Sequence, residues 1–311
     1  MKVPRRHVAW LASVLLGAVP AGAQDDACRR RSLMVSVIDA KGNPVPGLGR
    51  ADFAAKFRGK PVNITFAEPD TYTRHIVILL DASGRMLSDR RKAVLDAVDD
   101  LLTKAPAQTP IALSVFSGKV ESRVSFSQDR AAINSKLSAL RLERNAMLKG
   151  PHHSALWDGV LDALGMFGTP HLGDIIYAIT DGEDNERDGD HRRVEEALLL
   201  SGVRLFVCLS LPDNSPLTAE GALDLLEAVG VTGGSVAISG GLMSNLQLPP
   251  GPALDVLYRR MTEFYRLDVE LPEAVDKPRD RDLKLEVQGK NKKGWNLVYP
   301  RKLMPCAAAT R

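Results

Sequence analysis

Five positions in three short stretches carry the chain's most specific chemistry. "DASGR" supplies Asp81 and Ser83, with Arg85 two places further on; Ser154 follows "GPHH"; Asp181 is the second residue of "TDGEDN", with Glu183 and Asp184 behind it. Two carboxylates and two hydroxyls form a hard oxygen set. Magnesium takes six oxygens in near-octahedral array and keeps several waters, so one or two carboxylates plus hydroxyls suit it, with manganese or calcium as alternatives. Arg85 stands where a third hydroxyl is expected, and a guanidinium has five donors and no acceptor. A unit charge about 6 Å from a divalent ion, at an effective dielectric of about 20, costs on the order of 5 kcal/mol. That figure is an upper one, because a long side chain can turn its head into water. The electrostatics therefore favour a metal-free edge in which Arg85 is the cation, paired with Asp81 or Asp181. The plainer alternative is that both aspartates merely end strands.

These residues must be brought together by the elements before them. "HIVILL", "IALSVF", "DIIYAIT" and "VRLFVCLSL" are apolar runs rich in Ile, Val and Leu, as expected of strands covered on both faces. Amphipathic stretches lie between them: Val94, Val98, Leu101 and Leu102 share one helical face, and Leu156, Val160, Leu164 and Phe167 another. Strand–helix alternation predicts a doubly wound, mostly parallel α/β sheet over residues 74–245, with ligands at the carboxyl ends of its strands. The flanks alternate apolar and polar residues around turn signals, from "SLMVSVIDAKGNPVPGL" to "RLDVEL" and "LKLEVQG". Each is too short for a core of its own. Segments 28–70 and 252–306 are therefore expected to pair into one small antiparallel β-domain, with a helix near Ala253–Phe264 leading back to it.

With its three loops in that order, the chain resembles a von Willebrand factor type A domain. Asp81 and Ser83 match that family's Asp-x-Ser-x-Ser motif, Asp181 matches its third-loop aspartate, Ser154 stands in place of its threonine, and Arg85 departs from it. The flanks are similar to those of a group of exported bacterial proteins related to this family, abundant in acidobacteria. The resemblance implies the α/β fold above and a non-enzymatic binding role. In it, Asp81, Ser83, Ser154 and Asp181 form a degenerate metal site, and Arg85, Glu183 and Asp184 meet a protein or surface partner. The alternatives from other classes are a metal-dependent hydrolase on the same loops and a structural envelope or secretion component with a vestigial edge.

Other motifs carry less. The run from Asp184 through Glu186, Asp188 and Gly189 to Glu195 imitates a calcium loop, but Glu186 and the preceding strand fit an EF-hand poorly. His152 and His153 beside Ser154 suggest a triad with Asp181, yet no Gly-x-Ser-x-Gly elbow is present, and tandem histidines usually point apart. Ser154 also suits a helix N-cap, and Asp158 a first-turn position facing the helix dipole.

Residues 1–23 read as an export signal: Lys2, Arg5 and Arg6 precede a short apolar stretch, and Ala21 and Ala23 offer a cleavage site. Periplasmic or extracellular localisation follows, with no transmembrane anchor. The leader holds the whole excess of 41 Lys and Arg over 38 Asp and Glu, so the remainder is formally neutral, and nothing argues for nucleic acid. Of the three cysteines, Cys208 reads as a buried strand thiol. Cys28 and Cys306 lie near the two ends, where termini often meet. They are either a disulfide, which an oxidising compartment permits, or two unpaired tail thiols.

Overall fold

All six residues of Ile76–Asp81, Ile111–Phe116 and Ile175–Thr180 are buried, as are all seven of Arg204–Ser210. The apolar runs make the centre of one sheet. The computed structural model describes residues 28–83, 86, 91–142, 154–184, 190–210, 220–239, 250–289 and 294–306. The expected signal segment, Arg85, the His152–His153 pair and residues 185–189 lie outside them. In chain order the strands are β1 (Arg30–Ile38), β2 (Phe53–Phe57), β3 (Lys60–Pro61), β4 (Asn63–Pro69), β5 (Ile76–Asp81), β6 (Ile111–Phe116), β7 (Val120–Ser127), β8 (Ile175–Thr180), β9 (Arg204–Ser210), β10 (Val236–Ser239), β11 (Tyr265–Glu270), β12 (Leu283–Val287) and β13 (Asn296–Val298). The helices are α1 (Arg91–Lys104), α2 (Ala131–Leu142), α3 (Leu156–Met166), α4 (His191–Ser201), α5 (Glu220–Thr232) and α6 (Pro250–Thr262).

The central sheet has the order β10-β9-β8-β5-β6-β7, parallel except for β7 at one edge. Successive side chains of a strand point to opposite faces. Ile76, Ile78 and Leu80 thus join Val94, Val98, Leu137, Leu257 and Met261 of α1, α2 and α6, while Val77 and Leu79 join Leu156, Val160, Leu198 and Ala228 of α3, α4 and α5. Helices cover both faces, which is the doubly wound α/β architecture expected. α6, which leads back to the flank, is itself part of this core.

The flanking segments make two antiparallel sheets, β13-β1-β11-β4 and β12-β2-β3. Both contain strands from each side of the α/β unit: β1 pairs β11 from Arg30↔Glu270 to Val35↔Tyr265, and β12 pairs β2. They share one core, including Val35, Phe57, Leu267 and Leu283. Cys28 and Cys306 are bonded, with their Cα atoms 5.3 Å apart. Cys208 is buried, and burial pushes its thiol up to about 12.

Arg204, fully buried in the α/β unit, ties it to the flank. Its guanidinium donates to the Gly233 carbonyl from Nε (3.0 Å) and Nη2 (2.7 Å) and to Ser36 Oγ of β1 (3.1 Å). It also lies 4.8 Å from the ring centres of Phe206 and Phe264.

Candidate functional site: the carboxyl edge of β5 and β8

β5 and β8 are parallel neighbours, in register from Ile76↔Ile175 to Leu80↔Ile179. The chain leaves β5 for α1 on one face and leaves β8 for α4 on the other. Neighbouring strands whose continuations diverge open a crevice at their carboxyl ends, where open α/β sheets bind ligands. Asp81 ends β5 on one side of this crevice, and Asp181 follows β8 on the other.

Asp81, Ser83, Ser154 and Asp181 are all buried. Asp81 is the hub. Its Oδ1 accepts from the Ser83 backbone N–H (2.9 Å), and its Oδ2 accepts from the hydroxyls of Thr180 (2.8 Å) and Ser154 (3.4 Å). Burial, with the nearby Asp181 carboxylate second, raises Asp81 to about 6 against the opposing hydrogen bonds from Ser83 and Thr180. Asp181 Oδ1 accepts from the Glu183 N–H (3.2 Å), so the loop folds back on its own first residue.

Ser154 is not the cap of α3. Ala155 occupies that position without a side-chain bond, and Asp184 Oδ2 accepts from the Trp157 N–H (3.2 Å) instead. The Ser154 hydroxyl is thereby left for Asp81, and the third loop is fastened to the second. Glu183 adjoins this edge, half-buried, while Asp158 is exposed in the first turn of α3. Glu195, the last member of the calcium-like run, is held by Lys302 at 3.0 Å. Thr180 is the member sequence reasoning missed. Besides donating to Asp81, its Oγ1 accepts from the Gly182 N–H (3.1 Å), and Gly182 adopts the left-handed φ of 81° that starts the turn.

Residues 76–183 match the family model of the von Willebrand factor type A domain. The chain carries a von Willebrand factor type A domain. No curated protein matches the chain. Among solved structures, a von Willebrand factor type A protein from Catenulispora acidiphila is 14% identical, covering 89% of this chain and 74% of its own, with a TM-score of 0.46. An aerotolerance-related membrane protein from Bacteroides fragilis is 18% identical over 60% of this chain and 98% of its own, at 0.45. The conserved hypothetical protein BatB from Bacteroides thetaiotaomicron is 16% identical over 59% and 98%, at 0.43.

Type A domains often bind a metal ion, and the residues here fit one. Two carboxylates lie close enough to raise Asp81, and its hydrogen-bond partners are neutral groups. The buried Ser83 hydroxyl has no partner of good geometry among the described residues. Oxygen donors of this kind suit a hard divalent cation. No helix among the described residues is long and apolar enough to cross a membrane.

Proposed function

We propose that this protein is an exported, non-enzymatic binding module that presents the carboxyl edge of its type A domain to a protein or surface partner. The observation that carries the reading is the Asp81 hub. A buried carboxylate facing a second one, and braced by Thr180 and Ser154, is an oxygen cradle for a cation. The Ser154 hydroxyl donates to the same carboxylate oxygen that Thr180 holds, a contact that supports a cradle over a prepared nucleophile. Export rests on the leader-like residues 1–23 and agrees with the Cys28–Cys306 disulfide.

A magnesium ion would be held by Asp81, Ser83, Ser154 and Asp181, and when bound it would supply an open position for a partner's carboxylate. Thr180 orients Asp81 from behind. Arg85 is the residue that weakens such an ion, and in this reading it supplies positive charge to the edge, with Glu183 and Asp184 beside it. Calorimetric titration with magnesium, manganese and calcium tests this in the wild type and Arg85→Ser. The variant is expected to bind magnesium more tightly by orders of magnitude, given a repulsion on the order of 5 kcal/mol at most. Micromolar magnesium binding by the wild type, or no gain in the variant, sinks the role given to Arg85. Turnover of ester, phosphoester or peptide substrates that Ser154→Ala abolishes would replace the binding reading with a hydrolase.

A further inference from the structure

The amino ends of β5 and β8 carry a second cluster, of different chemistry. His75 immediately precedes β5, Asp174 immediately precedes β8, and His171 begins the turn into Asp174. The Asp174 carboxylate is 1% exposed and fixed from both sides: Oδ1 accepts from the His75 backbone N–H (3.0 Å) and Oδ2 from that of His171 (2.8 Å). Both imidazoles turn to the same carboxylate. His75 Nδ1 lies 3.5 Å from Oδ1 and His171 Nδ1 lies 3.6 Å from Oδ2, and the rings stack with centroids 5.7 Å apart and planes 17° apart. Phe126 backs His75 edge-on at 5.1 Å. One ligating atom from each of the three residues falls within a 4.8 Å set.

We propose that His75, His171 and Asp174 form a site for a borderline divalent transition ion, zinc by preference. Two nitrogens and one carboxylate oxygen, with a fourth position open to water, is a zinc ligand set. Bonds of about 2.0–2.1 Å in a tetrahedron place ligand atoms roughly 3.3 Å apart. The two nitrogen–oxygen separations, one to each carboxylate oxygen, lie near that edge and are long for hydrogen bonds. Gathering both nitrogens about one of these oxygens requires the imidazoles to close on each other, and side chains 35% and 68% exposed can make that movement while leaving the fourth position to solvent. The two backbone N–H bonds orient the carboxylate as outer partners of metal ligands do. The adjacent Arg74 guanidinium is compensated by Asp70, at 3.0 Å and 2.6 Å. A bound ion would join the entry of β5 to the turn before β8.

The test is calorimetric titration of the folded chain with zinc chloride, repeated in an Asp81→Asn background that disables the oxygen edge, together with the visible spectrum of the cobalt-loaded protein. The wild type is expected to take up one zinc at this site, to show the bands of four-coordinate cobalt and to melt at higher temperature with zinc. His75→Ala or His171→Ala should weaken zinc by more than about tenfold, abolish those bands and leave the circular dichroism unchanged. The His152→Ala/His153→Ala double variant should bind as the wild type does, which separates this cluster from the tandem pair. Asp174→Asn is avoided because its carboxylate also fixes two backbone segments. Unchanged zinc affinity in His75→Ala/His171→Ala, or no binding by the wild type at micromolar zinc, overturns the proposal.

Discussion

Replacing Asp81 by asparagine is expected to stabilise the ion-free protein at neutral pH. Asn is nearly isosteric, and its amide can still accept from the Ser83 N–H while its NH2 group meets the Ser154 and Thr180 hydroxyls as acceptors. What it removes is a charge that burial and Asp181 disfavour. The folded protein holds the Asp81 proton up to about pH 6, against an ordinary value of 3.8, a difference worth about 3 kcal/mol. Because the folded value is the raised one, this stabilisation is complete below about pH 3.8 and is lost as pH rises through about 6. The wild type therefore carries a penalty of about 3 kcal/mol above that window, which the variant lacks. Urea unfolding in the presence of a chelator, at intervals from pH 4 to pH 7, reads it directly. The gap between the proteins should widen in favour of Asp81→Asn across that range and then level off. A variant less stable than the wild type at pH 7, or a gap that does not depend on pH, would refute the reasoning.

Asp184→Ala should cost about 1 kcal/mol in the same denaturation assay, because α3 loses the carboxylate that accepts from Trp157 N–H. Arg204→Ala should cost about 3 kcal/mol or more by urea melt, combining a cavity with an orphaned Gly233 carbonyl. Gly234→Ala should prevent stable folding, since an added Cβ would lie 1.7 Å from the Leu205 carbonyl oxygen; soluble yield and circular dichroism check it. Without reductant, native protein should take up no iodoacetamide, because Cys28 and Cys306 are bonded and the buried Cys208 thiol is pushed up to about 12. Reduction should expose two thiols and lower stability by roughly 4 kcal/mol.

The central sheet was legible because its strands are continuous apolar runs, and such runs have few other uses in a chain with no membrane-spanning helix among its described residues. Asp81 and Asp181 were legible because they close those runs. Thr180 was not, because a buried threonine at the end of "DIIYAIT" reads as one more β-branched strand residue, and only the register of β8 beside β5 turns it toward Asp81. Ser154 was legible as a member of the Asp81 edge, but the N-cap role it also suited falls to Ala155 and Asp184. Local capping rules see neighbours, whereas the carboxylate that serves α3 comes from Asp184, beyond the whole helix and the next strand. His75, His171 and Asp174 drew no attention for a similar reason: His75 meets the other two only through parallel pairing. Arg204, inside "VRLFVCLSL", gave no hint that its charge would be solvated by a carbonyl and two aromatic faces.

The bond between Cys28 and Cys306 determines how this molecule carries tension. A pull between tethers attached just outside the two cysteines runs through the disulfide, and the α/β unit bears none of it. A pull between those tethers and the α/β unit takes another route. It enters β1 near Arg30 and leaves through Pro69 and Tyr265, at the opposite end of the same sheet. β1 and β11 are then drawn along their own axes in opposite senses, so the rungs from Arg30↔Glu270 to Val35↔Tyr265 share the load instead of parting one at a time. The small β-domain is thus a shear-loaded mount that holds the α/β unit through the ends of β4 and β11.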